Sequence, residues 1–461
     1  MATLYQVRTL ILLAVATQLL GYSCLIARPV RITIFIHGVT NVWPYLNFFN
    51  FSTFLSDKVE TTLYAKTIEL LRQDSYFWQN QVVQGLGLKL IESSNFKGDM
   101  SGIIAHIYRD MERSLEGHRY HDLYYTFGWS SLLSYQARLR GACSFYNQLS
   151  KSVAAFRAKG IEPIIRIIGF SHGGHVTLLL ERIARERNER PFVIDEVWLL
   201  GSPVHRSTHN HLHSPLFNKV YNLYSYSDRV QNLDIFSTHL CFSKHKFKRK
   251  HKPCLPDKLV QVEYKITDIA KGKTSIPCCS PNESPSECFD VSRYKRIKSP
   301  GHIELWFFGW TPGFYRSTFA LAPLPGLVLL PYFIHLIKQI EHHPHNPNKP
   351  YVIDYRPWLE QTIVRRKQCC TPLLVDGWLT QERLDRYKQE AQAAQPENFD
   401  RCTYKKRAAG TAAVAYDIYL QDFRQKREEK KERIMQEALT ARLCKGLPYG
   451  KKICHCQLLC P

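Results

Sequence analysis

The sequence predicts an α/β chain built on a mostly parallel central sheet covered by helices. Three observations carry that reading. Apolar runs of strand length alternate with segments whose apolar residues recur at helical spacing. One strand-to-helix joint, inside "EPIIRIIGFSHGGHVTLLLERIARE" (Glu162–Glu186), crowds Gly169, Ser171, Gly173 and Gly174 into a few positions. Glycine costs backbone entropy on folding, so so many at one joint signal a steric demand. Finally, 461 residues with 44% hydrophobic and 12% aromatic content can bury a large core, which excludes wholesale disorder.

The elements follow in order. After Arg8 an uncharged apolar run extends from Thr9 to Ala27 and ends at Arg28 and Arg31. Residues 1–28 read as a signal peptide or membrane anchor, implying an exported or membrane-associated protein. Gly21 and Ser23 before Cys24 would permit cleavage there, whereas Tyr22 is too bulky for a bacterial lipoprotein box. "VRITIFIHGVTN" gives a buried strand, Pro29 to Ile36, ending at His37-Gly38. The aromatic stretch "NVWPYLNFFNFSTF" follows, then mixed amphipathic helices to about Glu116. "HDLYYTFGWSS" is a second strand, and the next helical pattern stops near Gly160. "EPIIRIIGF" is a third strand, "HVTLLLERIARERNE" a helix, "FVIDEVWLLGSPV" a fourth strand and "KVYNLYSYSDRV" a fifth. Strands alternating with helices argue for a mostly parallel sheet covered on both faces.

From about Ile235 to Lys298 the character changes to a basic, cysteine-rich insertion with one strand-like piece, "LVQVEYKITDI". The apolar run Ser317–Ile337 is interrupted by Pro323, Pro325 and Pro331, which favours an irregular or membrane-surface segment over a spanning helix. From about Asp376 the pattern is of charged helices.

The formal net charge is +22, part of it in "SKHKFKRKHK" (Ser243–Lys252) and "KREEKKER" (Lys426–Arg433). Such runs are solvated surface or attract an anionic partner. No nucleic-acid-binding motif accompanies them, so a membrane surface ranks ahead of nucleic acid. The 14 cysteines include Cys241, Cys254, Cys278, Cys279 and Cys288 in the insertion and Cys444, Cys454, Cys456 and Cys460 at the end. Their pairing cannot be read from spacing, and "CHCQLLC" matches no zinc pattern. His172, His175, His205, His209, His211 and His213 invite a metal reading, but the chemistry below needs no metal and no cofactor.

"GFSHG" (Gly169–Gly173) fits G-x-S-x-G between a strand and a helix, a turn so tight that side chains two residues either side of the serine would clash. With the upstream "FIHG", this motif resembles the α/β-hydrolase superfamily, within it the lipase and esterase branch, over roughly Pro29 to Trp310. The resemblance implies a serine ester hydrolase with a nucleophile, acid and histidine in that chain order. Ser171 would be the nucleophile. Asp228, at the end of the fifth strand, would be the acid; Asp234 in the same loop competes, and Asp195 sits before its strand. His302, after the Pro-Gly turn of "KSPGHIELWFF", would be the base, with His239, His245 and His251 poorer candidates in a charged, mobile insertion. The N–H groups of Val39 and His172 would form the oxyanion hole, and Gly38 would let the backbone approach substrate.

The implied organisation is a catalytic domain over 29–316, with a cap-like segment at 39–118 and the insertion at 235–298. A Pro-broken segment and linker spans 317–375, and a helical tail 376–461. The substrate class implied is a lipid or acyl ester, met at a membrane surface. An acyltransferase, a thioesterase or an inactive scaffold binding a membrane partner is the alternative.

Overall fold

A computed structural model describes residues 28–39, 59–78, 81–92, 97–232, 243–248, 254–268, 296–297, 299–310, 319–343, 346–369, 371–397, 399 and 401–445. The apolar run 9–27, the aromatic stretch 41–54, Asp234, His239, His251 and most of the clustered cysteines lie outside these residues. Among the described residues, no helix is long and apolar enough to cross a membrane.

The chain is α/β, as expected. Eleven strands join in one sheet. In chain order they are β1 (Val30–Ile36), β2 (Gly87–Leu90), β3 (His121–Gly128), β4 (Ile164–Phe170), β5 (Ile194–Leu200), β6 (Phe217–Tyr224), β7 (Leu259–Asp268), β8 (Arg296–Ile297), β9 (Tyr351–Arg356), β10 (Gln361–Arg366) and β11 (Pro372–Asp376). Their spatial order is β11-β10-β9-β7-β6-β5-β4-β1-β3-β2, with β8 beside β7. From β3 to β9 every neighbouring pair is parallel. The antiparallel pairs are at the margins: β2 on β3, β8 on β7, and β10 and β11 beyond β9.

Two helical layers cover the sheet. The longer helices are α1 (Leu63–Gln73), α3 (Met100–Glu116), α4 (Tyr135–Arg157), α5 (His172–Arg187), α8 (Leu330–Gln339), α9 (Gln381–Ala393) and α10 (Arg401–Lys445). Short ones are α2 (Ser75–Trp78), α6 (Arg206–His211) and α7 (His302–Trp306). Strand alternation sorts the core. Ile32, Ile34, Ile36, Ile165 and Ile167 pack with α1, α4 and α5. Phe35, Ile168, Phe170, Trp198 and Leu200 face the opposite way, onto α3, α7, α8 and α9.

A buried charge cluster fixes the second layer. Arg31 of β1 and Arg166 of β4 lie on neighbouring strands, offset by two positions in register, and are 2% and 1% exposed. Glu112 of α3 reaches both, at 3.2 Å from Arg31 and in a short contact with Arg166. Asp122 holds Arg31 at 2.6 Å, and Glu196 holds Arg166 at 2.7 Å. Burial works against the Glu196 carboxylate, but Arg166 and Lys338 outweigh it and hold its pKa down at about 2. Paired this way, the charges keep their hydrogen bonds out of water.

Five expectations need correction. First, β2 is a strand inside the stretch read as helices; at four residues it is too short to show alternation. Second, "LVQVEYKITD" is no part of an appended insertion: it is β7, parallel to β6 and to β9. Third, residues 317–375 are not a linker, because they supply α8 and β9–β11. The bulky apolar residues described in the run Ser317–Ile337 pack into the core rather than lying on a surface. Leu321, Leu324, Leu327, Leu329, Tyr332 and Phe333 are fully buried in the core; Pro323 lies in a turn, Pro325 precedes a 3-10 turn, and Pro331 sits in the first turn of α8. Fourth, α9 of the supposed tail buries Leu384, Tyr387 and Ala391 in that same core. Fifth, the described part of the cap-like segment is not a separate cap: α1 and α3 pack into the core on opposite faces of the sheet.

Candidate functional site

The strand order reverses at β1. From it the chain runs to β3 on one side and to β4, β5, β6 and β7 on the other. A crevice opens at the carboxyl ends of parallel strands where such a reversal occurs. His37-Gly38 follows β1, Ser171 follows β4, and Asp228 follows β6. His302 opens α7, in the stretch after β7 and β8. The fold brings these four positions together.

Ser171 stands at φ 50°, ψ −126°, a conformation that non-glycine residues rarely adopt. Its N–H donates to the Leu200 carbonyl at 2.9 Å, and its own carbonyl accepts from the Gly174 N–H at 3.0 Å. The strained turn is therefore clamped to β5 on one side and to α5 on the other. The glycines around it are steric necessities. A Cβ on Gly173 would sit 2.4 Å from the Ile36 carbonyl oxygen, and one on Gly169 would sit 2.7 Å from the Gly174 Cα. A Cβ on Gly38 would lie 2.9 Å from the Ser171 Cβ, which places the 38–39 backbone directly against the serine.

His302 bridges the other two side chains. Its Nε2 lies 3.0 Å from Ser171 Oγ and its Nδ1 lies 2.8 Å from Asp228 Oδ2. Asp228 is fully buried, so its carboxylate needs donors. Oδ2 accepts the Nδ1–H of His302, and Oδ1 accepts the Gln231 N–H at 3.0 Å. That tautomer leaves the Nε2 lone pair aimed at the serine hydroxyl. The imidazole rests on Phe170, ring centroids 4.7 Å apart, and Phe170 stacks in turn on Trp306. The arrangement can take a proton from Ser171 and stabilise the imidazolium that results.

The loop after β1 holds a network that the motif alone does not reveal. The imidazole of His37 is buried, with Nδ1 2.7 Å from the Gly38 carbonyl and Nε2 3.2 Å from the Trp129 N–H. Arg72 of α1 approaches Nε2 at 3.1 Å and donates to Ser131 Oγ at 2.7 Å. Burial, and then the Arg72 charge, push the His37 pKa well below its usual range, so the ring is neutral. A neutral ring that accepts at Nε2 carries its proton on Nδ1 and donates it to Gly38. A peptide's C=O and N–H point in opposite directions. Holding the Gly38 carbonyl therefore sets the direction of the Val39 N–H.

No motif in the sequence marks Arg72, Trp129 or Ser131. Their signal is weak: an arginine at the end of an amphipathic helix and two residues after a strand. The sequence ranks His245 among the poorer candidates, in a charged insertion. Instead it is buried, and its Nε2 lies 2.8 Å from the Asp228 carbonyl. Asp195 lies near the start of β5, where it accepts from the Ile165 N–H, remote from the serine turn. The histidine group also resolves. His172, His175 and His205 form a chain of ring contacts, and His211 pairs with Glu181 at 2.6 Å. Among the described residues no cluster of three or more His, Cys, Asp or Glu side chains could hold a metal ion.

No family model matches the chain, and no curated protein does. Among solved structures it is similar to one titled "putative cell surface hydrolase from Lactobacillus plantarum WCFS1". The sequences are 14% identical over 44% of this chain and 70% of that one, with a TM-score of 0.22. A likeness at that score supports neither a fold assignment nor a function, and both rest on the sheet and the site themselves.

Proposed function

We propose that this chain is a serine hydrolase of the α/β-hydrolase type that cleaves carboxylic esters through an acyl-enzyme. One observation carries the reading: the strained Ser171, His302 and the buried Asp228 are linked by hydrogen bonds of 3.0 and 2.8 Å at the carboxyl ends of parallel strands. Ser171 Oγ attacks the ester carbonyl while His302 Nε2 removes its proton, and Asp228 holds the imidazolium. The N–H groups of Val39 and His172 stabilise the oxyanion, and Gly38 gives it room. His302 returns the proton to the leaving alcohol. Water, activated by the same nitrogen, then cleaves the acyl-serine and restores Ser171.

We put lipid or other acyl esters first among substrates. The reasons are the apolar run at the amino terminus, the aromatic stretch 41–54 that follows the oxyanion loop, and the basic net charge. A membrane surface is the partner that suits them.

The test is labelling of the purified full chain with a fluorophosphonate, which reacts with activated serines. The wild type labels, Ser171→Ala does not, and kcat on acyl esters falls by roughly 10⁴-fold or more in Ser171→Ala and in His302→Ala. No labelling of the wild type, in buffer or detergent, overturns the hydrolase reading in favour of a binding scaffold. Acyl transfer to an added alcohol or thiol in preference to water would make the protein a transferase.

A further inference from the structure

The basic run that begins at Ser243 is a built part of the site's back wall. Over 243–248 its residues alternate. Ser243, His245 and Phe247 are buried, while Lys244 and Lys246 are half-buried and Lys248 is exposed. This is the two-residue period of an extended strand with one face packed. The segment forms an antiparallel bridge between Lys244 and Val204, in the loop after β5, with backbone bonds of 2.9 and 3.0 Å. Buried amides on β6 and β7 fasten its inner face. Asn222 Nδ2 donates to the His245 carbonyl at 3.0 Å, and Gln261 exchanges hydrogen bonds with the Phe247 backbone at 2.8 and 3.1 Å.

This strap ends on the loop that carries Asp228. His245 Nε2 is 2.8 Å from the Asp228 carbonyl; a carbonyl can only accept, so Nε2 carries the hydrogen. Ser243 Oγ donates to the Gln231 carbonyl in a short contact. Gln231 in turn donates its N–H to Asp228 Oδ1, and its Nε2 donates to the Ser202 carbonyl at 2.6 Å. The Asp228 backbone and one carboxylate oxygen are thus both tied, directly or through one residue, to the strap. The other oxygen is left for His302. The His245 ring is seated against Tyr226 and Tyr224, with centroids 5.3 and 6.3 Å away.

We propose that His245 is a positioning residue for the Asp228–His302–Ser171 site, its Nε2–H fixing the backbone that aims the Asp228 carboxylate at His302. The inference rests on the hydrolase reading above. It assigns to the basic strap a task inside the active site, where composition alone assigns it to solvent. Loss of the bond lets the loop carrying the carboxylate shift. A misplacement of about 1 Å in such a site costs up to roughly 10²-fold in rate.

Two substitutions separate the bond from the packing. His245→Phe keeps a ring between the tyrosines and removes the donor. His245→Gln keeps an N–H at about the reach of Nε2. Each full-length variant is melted by circular dichroism, labelled with the fluorophosphonate, and assayed on p-nitrophenyl butyrate for kcat and KM separately. The proposal expects labelling and kcat to fall by roughly ten- to a hundredfold in His245→Phe, with KM and melting temperature near wild type, and to recover most of the loss in His245→Gln. Wild-type labelling in a folded His245→Phe overturns it, as do equal losses in both variants, which would make the ring's packing the cause. Should His245→Phe fail to fold, Ser243→Ala decides. Slower labelling at an unchanged melting temperature supports the strap, and wild-type labelling overturns it. A wild type that does not label removes the hydrolase reading and this inference together, whereas a labelling wild type with unaffected variants removes the inference alone.

Discussion

At the scale of single residues, charge and strain sit close to the serine. Ser171 keeps a positive-φ conformation, tied by its backbone to Leu200 and Gly174, beside glycines at which a Cβ would clash. His37 has a different role, keeping a neutral ring between Arg72 and the Gly38 carbonyl. That neutrality links stability to pH. The folded-state pKa of His37 is depressed by burial and by Arg72, while the unfolded chain takes up a proton near 6.5. Below about pH 6.5 the unfolded state therefore binds more protons, and stability falls with falling pH by up to about 1.4 kcal/mol per pH unit from this one group. Above that pH the contribution is fully present. Urea unfolding of wild type and His37→Asn between about pH 7.5 and 5 checks it. The variant has the shallower acid slope, and an unchanged slope would assign the acid loss to other groups.

At the scale of elements, α3 and the parallel strands are joined by Glu112, which serves both Arg31 and Arg166. Tyr124 also donates to this carboxylate at 2.6 Å. Glu112→Gln keeps the shape and removes the charge, leaving two buried guanidinium groups short of a counter-charge. Removing one member of a buried ionic group costs about 3–5 kcal/mol. Denaturant unfolding of Glu112→Gln is the measurement, and a loss under about 1 kcal/mol would show that Asp122 and Glu196, with Glu116 at 2.6 Å from Arg31, suffice without it. Arg31 is legible as a charge at the start of a strand, but its partners come from α3 and β3 and no local pattern names them. The basic strap was readable in principle. Ser, His and Phe alternate with Lys in "SKHKFK", a strand period that the density of lysine disguises as a solvated loop.

At the scale of the molecule, the sheet does not stop where the serine-hydrolase resemblance does. Beyond β7, strands β9–β11 extend it, and α8 and α9 close its second face. A chain ending at residue 316 would strip β9 from β7, leaving Val262–Ile266 without that parallel partner. It would also strip Phe333, Leu336, Ile353 and Tyr355, all fully buried, from the core. Each such side chain contributes about 1.5–3 kcal/mol, so these four together contribute about 6–12 kcal/mol, comparable with the whole margin of about 5–15 kcal/mol by which a typical domain is stable. The truncated chain is expected to show no cooperative thermal transition and no near-ultraviolet dichroism. A cooperative melt would restore 29–316 as an independent domain.

The sequence by itself determined the α/β class, the parallel central strands and the serine turn. Each depends on a few neighbouring residues: an apolar run, a helical period, or glycines where a Cβ cannot fit. Tertiary structure decided what meets what. His302 reaches Ser171 across 131 positions and Asp228 across 74. The His37–Arg72 pair, the strap on Asp228 and the place of β7 between β6 and β9 were likewise settled by the order in which strands crossed and paired. Local patterns report burial and backbone preference over a few residues. The partner across a loop depends on crossover and register, which many sequences with the same local pattern could resolve differently.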